Sequence, residues 1–182
     1  MADYTNKMIL GYSGSKDFLI SVLPHEMAHL VFRDFIGFNG EVPLWLDEGV
    51  AQWEEENKRF MAKSIVRENL RNRTFLSLND MMNLDVRLIK HADKLHLHTS
   101  LISGKPSFII IDGKTLIELY YLQSTSLVGF LIEQYGTNSF TDFCRQLRDG
   151  KSLEDALRSA YSNYLNNLDE LENRWVEYLQ KE

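Results

Sequence analysis

A single cysteine, Cys144, occurs among the 182 residues, so no disulfide can form within the chain. Free cysteine usually behaves as a small apolar residue, and we expect Cys144 to lie in the core rather than to act as a nucleophile. Proline is scarce as well, with three residues, and no proline-rich or low-complexity linker divides the sequence. The length and the lack of linkers predict one domain that spans residues 1–182.

Positive charge is also in short supply, because the formal net charge is -6. Without a basic field, nucleic acid and anionic membrane surfaces are not expected as partners. No apolar run approaches the length needed to cross a bilayer, so no membrane segment is predicted. A first candidate strand over residues 7–12 starts so early that we expect a chain cut from a longer protein, and the sequence assigns no compartment.

Apolar residues at helical spacing predict a first helix that ends at Gly37. Pro24 leaves the start of this helix open, because proline is tolerated in a first turn but bends a helix interior. The helix therefore starts near Ser21, or it starts at Asp17 and bends at the proline. Both alternatives make residues 25–36 helical.

The middle of the chain mixes helical and extended patterns. Pro43 suits the first turn of a second helix, and the charged residues 54–73 continue or follow that helix. Residues 94–99 alternate and residues 107–111 are β-branched and aromatic, which predicts a β-hairpin with its turn at residues 104–106.

The last third is more regular. Thr115 and Glu118 have the spacing of a capping box, which predicts an apolar helix over residues 116–135 that is closed by Gly136. Further helices are predicted over residues 139–148, 152–161 and 168–179. The predicted fold class is therefore mainly α, with the small β component of an α+β domain.

The motif His25-Glu26-Met27-Ala28-His29 places two imidazoles four residues apart, on the same face of the first helix. At that spacing both rings can reach one cation. Zinc accepts neutral imidazole nitrogen, and a catalytic zinc takes three protein ligands and leaves one position for water. A third ligand must come from a different element.

Glu48 fits that requirement, since 18 residues separate it from His29 and it lies on the second predicted helix. The intervening loop is long enough for the two helices to pack side by side. In the segment Trp45-Leu46-Asp47-Glu48-Gly49, the first two residues anchor the helix by burial and the glycine leaves room for close helix contact. An acid in such apolar surroundings is costly unless something pairs with it.

Taken together, His-Glu-x-x-His and the downstream Trp-Leu-Asp-Glu-Gly-x-Ala resemble the gluzincin clan of metallopeptidases, especially the aminopeptidase branch and small bacterial domains related to it. The resemblance covers residues 7–56 well and the carboxyl-terminal helices more loosely. It implies a zincin-like domain with an active-site helix, a glutamate helix, a short edge strand or hairpin and a carboxyl-terminal helical bundle. It also implies one Zn²⁺ held by His25, His29 and Glu48, with Glu26 as the general base.

The implied chemistry is hydrolysis of peptide bonds, with a peptide or protein as the partner. Zinc lowers the pKa of its bound water to about 7, and a nearby carboxylate takes the proton during attack on a carbonyl carbon. The clan often supplies a tyrosine or histidine as a further donor to the oxyanion. Tyr121-Leu122-Gln123-Ser124 resembles the Tyr-x-Gln-Ser of related domains, which favours Tyr121 over Tyr120, while simple packing remains the alternative for both.

Other polar residues have more than one interpretation. A zinc-binding histidine usually donates its second ring nitrogen to an acceptor, and Asp47 and Gln52 are candidates by proximity. A second histidine cluster, His91, His96 and His98, has no carboxylate or cysteine at ligand spacing. We therefore expect these three to be solvated surface residues rather than a second metal site.

The substrate class can be narrowed further. Residues 7–12 resemble the edge strand of the clan, along which an extended peptide pairs by its backbone. The Gly-x-Met-Glu-Asn motif with which the aminopeptidases hold a free amine is missing from residues 1–24, which favours an endopeptidase. The alternatives are a peptide-binding or scaffold domain with weak turnover, and zinc-dependent hydrolysis of a non-peptide amide or ester.

Overall fold

The computed structural model describes residues 2–3, 6–11, 17–37, 42–99 and 107–181. The predicted fold class is confirmed, because helices dominate and the strands form two small antiparallel pairs. The elements in chain order are β1 (Ala2–Asp3), β2 (Met8–Ile9), a π-helical turn (Phe18–Val22), α1 (Leu23–Ile36), α2 (Leu44–Trp53), α3 (Glu56–Arg71), α4 (Leu78–Asn83), a 3₁₀ turn (Val86–Leu88), β3 (Lys94–Thr99), β4 (Ser107–Asp112), α5 (Gly113–Arg148), α6 (Leu153–Ala160) and α7 (Leu168–Gln180).

The first helix includes Pro24 without a break in the helical backbone. A π-helical turn follows Asp17, and Leu23 donates its N–H to the carbonyl of Phe18 before the backbone narrows into α1. Pro24 then occupies the first turn of α1, where its missing N–H costs least. Pro24 in the first turn of α1 fits the alternative of a start near Ser21, while the π-helical turn extends the coil back to Phe18, directly after Asp17. Gly37 ends α1 with a φ of 91° that favours glycine.

The long apolar segment forms α5, but its predicted cap is wrong. Asp112 is the N-cap, because its Oδ1 accepts a hydrogen bond from the N–H of Thr115 at 3.0 Å, so the helix begins before the proposed capping box. Gly136 interrupts α5 with φ 85° and ψ 158°, which confirms the predicted end there and the separate helix beyond it. By length and composition alone α5 could span a bilayer, although 67% of its apolar window is buried inside the protein.

Extended segments are short. The predicted hairpin is confirmed, with β3 antiparallel to β4 and Leu95 opposite Ile111, while its predicted turn lies outside the described residues. The predicted strand over residues 7–12 shrinks to β2, which pairs with β1, and Tyr12 lies outside the described residues. The helix α4, capped by the Ser77 hydroxyl, was not predicted from the sequence.

The core is built around α5, on which α2, α3 and α6 pack, while α1 packs on α2. Trp45 and Leu46 are buried as expected. Gly49 lets α2 approach α5 closely, since a Cβ at this position would lie 2.6 Å from the carbonyl oxygen of Ser124. Cys144 is buried, and burial raises the pKa of its thiol to about 12, which confirms it as a core residue.

Candidate metal centre

Two antiparallel helices, α1 and α2, form the candidate site. Near the carboxyl end of α1, Arg33 binds Asp47 at the start of α2. Near the amino end, His25 binds Glu55, which follows α2. These contacts bring the face of α1 that carries His25 and His29 against the face of α2 that carries Glu48.

Three donor atoms converge between these helices. The Nε2 atoms of His25 and His29 lie 3.1 Å apart, and Oε2 of Glu48 lies 3.9 Å from the first and 3.7 Å from the second. The centre of this triangle is about 2.1 Å from each corner, which matches the bond lengths that zinc makes to imidazole and carboxylate. Within the described part of the chain, these three residues are the one group of histidines, cysteines and acids that could hold a metal ion.

The outer nitrogens of both rings fix their protonation. Nδ1 of His25 lies 2.9 Å from Oε1 of Glu55, and Nδ1 of His29 lies 3.0 Å from Oδ1 of Asp47. Because an ionised carboxylate only accepts, each Nδ1 carries a proton and donates it. In the neutral rings both Nε2 lone pairs therefore point into the same space beside a carboxylate oxygen, and this donor set suits a divalent cation.

Electrostatics differ between the three donors. Burial lowers the pKa of His25, and the neighbouring His29 lowers it further. Burial also acts to lower the pKa of His29, but its hydrogen bond to Asp47 and the charge of that residue outweigh burial and raise it. Burial raises the pKa of Glu48. These pKa shifts have the two causes expected for groups that are partly buried and close together, which are loss of hydration and the charges of their neighbours.

The two outer carboxylates are themselves held in place. Asp47 is buried and accepts hydrogen bonds from Nε of Arg33 at 3.1 Å and from Nη2 of the same residue at 2.6 Å. Burial opposes ionisation of Asp47, but the hydrogen bonds from His29 and Arg33 lower the pKa of its carboxyl group. Glu55 accepts from the Ser21 hydroxyl and from Nζ of Lys58 at 2.7 Å. Both side chains are therefore ionised acceptors with little freedom to rotate away from the rings.

Of the two proposed acceptors, one is in place and one is not. Asp47 lies where the sequence predicted, beside His29. The prediction for Gln52 is wrong, because its Oε1 faces α5 and accepts from the hydroxyl of Thr125 at 3.2 Å. Glu55 was missed, because it lies between α2 and α3 and no local pattern connects it to His25.

Glu26, the predicted general base, is partly buried on α1. Its charge acts to raise the pKa of both histidines and of Glu48, so its carboxylate lies within electrostatic reach of all three donors. The three ligand atoms and Glu26 thus occupy one region of the protein.

The two tyrosines on α5 have different environments. Tyr120 is fully buried, and its hydroxyl has no hydrogen-bond partner among the described residues. Tyr121 is half-buried and lines a cavity of about 330 Å³ together with Gln52. Burial, followed by the charge of Glu48, raises the pKa of both hydroxyls. Tyr121 is the more accessible of the two.

Arg87, on the 3₁₀ turn, was also missed by the sequence analysis. Its guanidinium forms two hydrogen bonds with Asp85, at 2.8 and 2.7 Å, and these raise its pKa, with smaller effects from Glu48 and Asp47. Its positive charge acts on the two acids of α2 only at a distance, and nothing in its local sequence indicates this.

Other predicted or conspicuous features lie apart from these donors. His91 and His96 are exposed, as expected for solvated surface residues, while the side chain of His98 lies outside the described part. The larger cavity, of about 550 Å³, lies along α1 and α2 against Met27, Val31 and Val50, and none of the three donors lines it. Size alone therefore does not identify the site.

Replacing Glu55 with alanine is expected to weaken binding of a divalent metal ion at the three donors by about 10–100-fold, because His25 loses the acceptor that orients its ring. Affinity can be measured by competition with a chromophoric chelator. Glu56→Ala is the matched control, since Glu56 is exposed at the start of α3 and should leave affinity unchanged. Equal affinities for the two variants would contradict the orienting role of Glu55.

Comparison with known proteins gives one match. The sequence model of a family described as the Peptidase MA superfamily matches residues 83–181, from the end of α4 through α7 and more than half of the chain. The match begins after Glu48, so the three donors and Glu26 lie before it. Searches of curated proteins and of solved structures found no significant match.

Proposed function

Since the chain belongs to the Peptidase MA superfamily, and is thereby a metallopeptidase-like domain, we propose that it is a zinc-dependent endopeptidase. His25, His29 and Glu48 hold one Zn²⁺, and Glu26 is the general base. The substrate is a peptide or protein that lies across the face shared by α1 and α2.

The convergence of the two Nε2 atoms and one Glu48 oxygen carries this proposal. Two unprotonated nitrogens 3.1 Å apart repel each other in the absence of a shared proton or cation, and a carboxylate beside them adds to the demand for positive charge. A purely structural role for these side chains would not require both rings to turn their lone pairs inward. A divalent ion satisfies all three groups at once.

A zinc ion bound there supplies acidified water and polarisation of the scissile carbonyl. Glu26 accepts the proton from the attacking water at its carboxylate and returns it to the leaving amine. Asp47 and Glu55 keep the protons of both rings on Nδ1, so each Nε2 stays available as a ligand. Tyr121 donates a hydrogen bond from its hydroxyl to the oxygen that becomes negatively charged during attack.

Peptides blocked at both ends separate endopeptidase from aminopeptidase activity, because they offer no free amino terminus. Protein incubated with zinc is expected to cut a peptide library blocked at both ends, as read by mass spectrometry. Cleavage restricted to peptides with a free amino terminus would contradict the endopeptidase assignment. A complete lack of cleavage would contradict the peptidase proposal and favour the alternative of a peptide-binding or scaffold domain.

Metal content provides a separate test. Wild-type protein is expected to bind one zinc ion per chain. Glu48→Gln should lower the zinc affinity by more than about 100-fold, because losing a ligand costs more than losing a residue that only hydrogen-bonds a ligand, for which about 10–100-fold is typical. Glu54→Gln is the control, because Glu54 is an exposed acid at the end of α2. Elemental analysis after dialysis gives the stoichiometry, and metal retained equally by all three proteins would overturn the ligand assignment.

A further inference from the structure

The cavity of about 330 Å³ beside Tyr121, called here the Tyr121 pocket, lies where α3 and α5 meet the end of α2. Its walls include Gln52, Lys58, Met61, Ile65, Tyr121 and Leu122. Its volume lies at the lower end of the range for ligand sites, which suits one side chain of a larger partner.

None of the three donors lines the pocket, but neighbouring residues connect it to the candidate metal centre. Gln52 follows Glu48 by one helical turn, so the two side chains are neighbours on one face of α2. Lys58 donates to Glu55 at 2.7 Å, and Glu55 accepts from His25 at 2.9 Å. A peptide whose backbone passes the three donors would therefore have a side chain within reach of this pocket.

Two of the polar groups in the walls are already engaged, while Asn57 and Glu118 also line the pocket. The Gln52 carbonyl oxygen accepts from Thr125 at 3.2 Å, and the Lys58 ammonium binds Glu55. Most of the exposed lining is nevertheless apolar surface, to which Met61, Ile65 and Leu122 contribute, with Met61 54% exposed. Apolar surface of this kind favours an apolar guest, because removing it from water is favourable.

We propose that the Tyr121 pocket receives a large apolar side chain of the substrate, such as leucine, methionine or phenylalanine, next to the bond that is cut. Ile65 and Leu122, on opposite walls, set the size of the side chain that fits. The assignment rests on the proposed peptidase function and adds the substrate class to it.

Turnover gives the first test. Zinc-loaded wild type should cut end-blocked peptides with phenylalanine or leucine at one position flanking the cut at least about tenfold faster, in kcat/KM, than peptides with alanine there, as a few methylenes in an apolar pocket allow. Ile65→Phe narrows the pocket and should cost the phenylalanine substrate about tenfold while changing the alanine substrate less than about twofold.

Two further variants complete the turnover arm. Leu122→Ala widens the pocket and should shift the preference toward the larger phenylalanine and away from leucine. Phe60→Ile is the control, because it exchanges the same two residue types on the same helix at a side chain that is 73% exposed and outside the pocket. It should leave the preference for apolar side chains unchanged. Cleavage without an apolar preference, or a preference that neither pocket variant alters, would overturn the proposal while the peptidase function stands.

A binding arm keeps the two proposals apart, because it needs neither metal nor turnover. Saturation-transfer NMR with metal-free protein compares N-acetyl-phenylalanine amide with N-acetyl-alanine amide. Stronger transfer to the phenylalanine probe, reduced by Ile65→Phe but not by Phe60→Ile, supports the pocket even if no peptide is cut. Equal transfer to both probes, or transfer that Ile65→Phe leaves unchanged, overturns it.

Discussion

Glu26→Gln is expected to reduce peptide hydrolysis by about 10²–10⁴-fold, the usual contribution of a general base. The amide keeps the shape of the side chain but cannot accept the proton from water. Zinc content should remain at one ion per chain, because Glu26 is not one of the three donors. Initial rates on an end-blocked peptide, together with elemental analysis of the same samples, measure both quantities.

A matched variant on the same helix sharpens this result. Asp34 is an exposed acid on α1 that pairs with Lys7, so Asp34→Asn removes a charge of the same sign at a distance from the donors. Its rate should stay within about twofold of wild type, since exposed ion pairs contribute little. Equal rates for wild type and Glu26→Gln would remove Glu26 from the chemistry and favour a binding domain.

Gly49→Ala is expected to destabilise the fold by about 1–3 kcal/mol, the range for overpacked cores. In an uncrowded helix the same change would stabilise by about 1 kcal/mol, so the sign of the effect is informative. Here the new methyl would lie 2.6 Å from the Ser124 carbonyl oxygen and 2.7 Å from Cγ2 of Val128. Chemical denaturation with unchanged m values measures the difference in the free energy of unfolding.

The source of that cost can be separated in a double variant. Val128→Ala removes one of the two clashing groups but leaves the backbone carbonyl of Ser124 in place. The Gly49→Ala cost should therefore be smaller in the Val128→Ala background without disappearing. A stabilising effect of Gly49→Ala in either background would show that α2 and α5 do not lie this close.

The sequence predicted the helices and the three donors because each depends on local spacing. The interval of four between His25 and His29 places both rings on one face of any helix, whatever surrounds it. Glu48 required one further assumption, that the following loop brings α2 back alongside α1. The start of α5 was misplaced because Asp112, at the end of a strand, competed for the cap with a nearby pattern that also fits.

Residues that depend on tertiary contacts were harder to predict. Proximity to Glu48 favoured Gln52 as an acceptor for a histidine, yet the rotation of α2 turns this side chain toward α5. Glu55 lies past the last residue of α2, and only its bond to His25, on another helix, gives it a role. The choice between Tyr120 and Tyr121 depends on which ring α5 buries, and periodicity within α5 does not specify that.

The close approach of Gly49 to Ser124 also constrains how such a protein can diverge. A lineage in which position 49 acquires a side chain loses less stability if α5 has already moved away or if Val128 has become smaller. The order of substitutions therefore matters, and we expect positions 49 and 128 to show strong epistasis. The distance between α2 and α5 thus limits which substitutions the segment that carries Glu48 can accept.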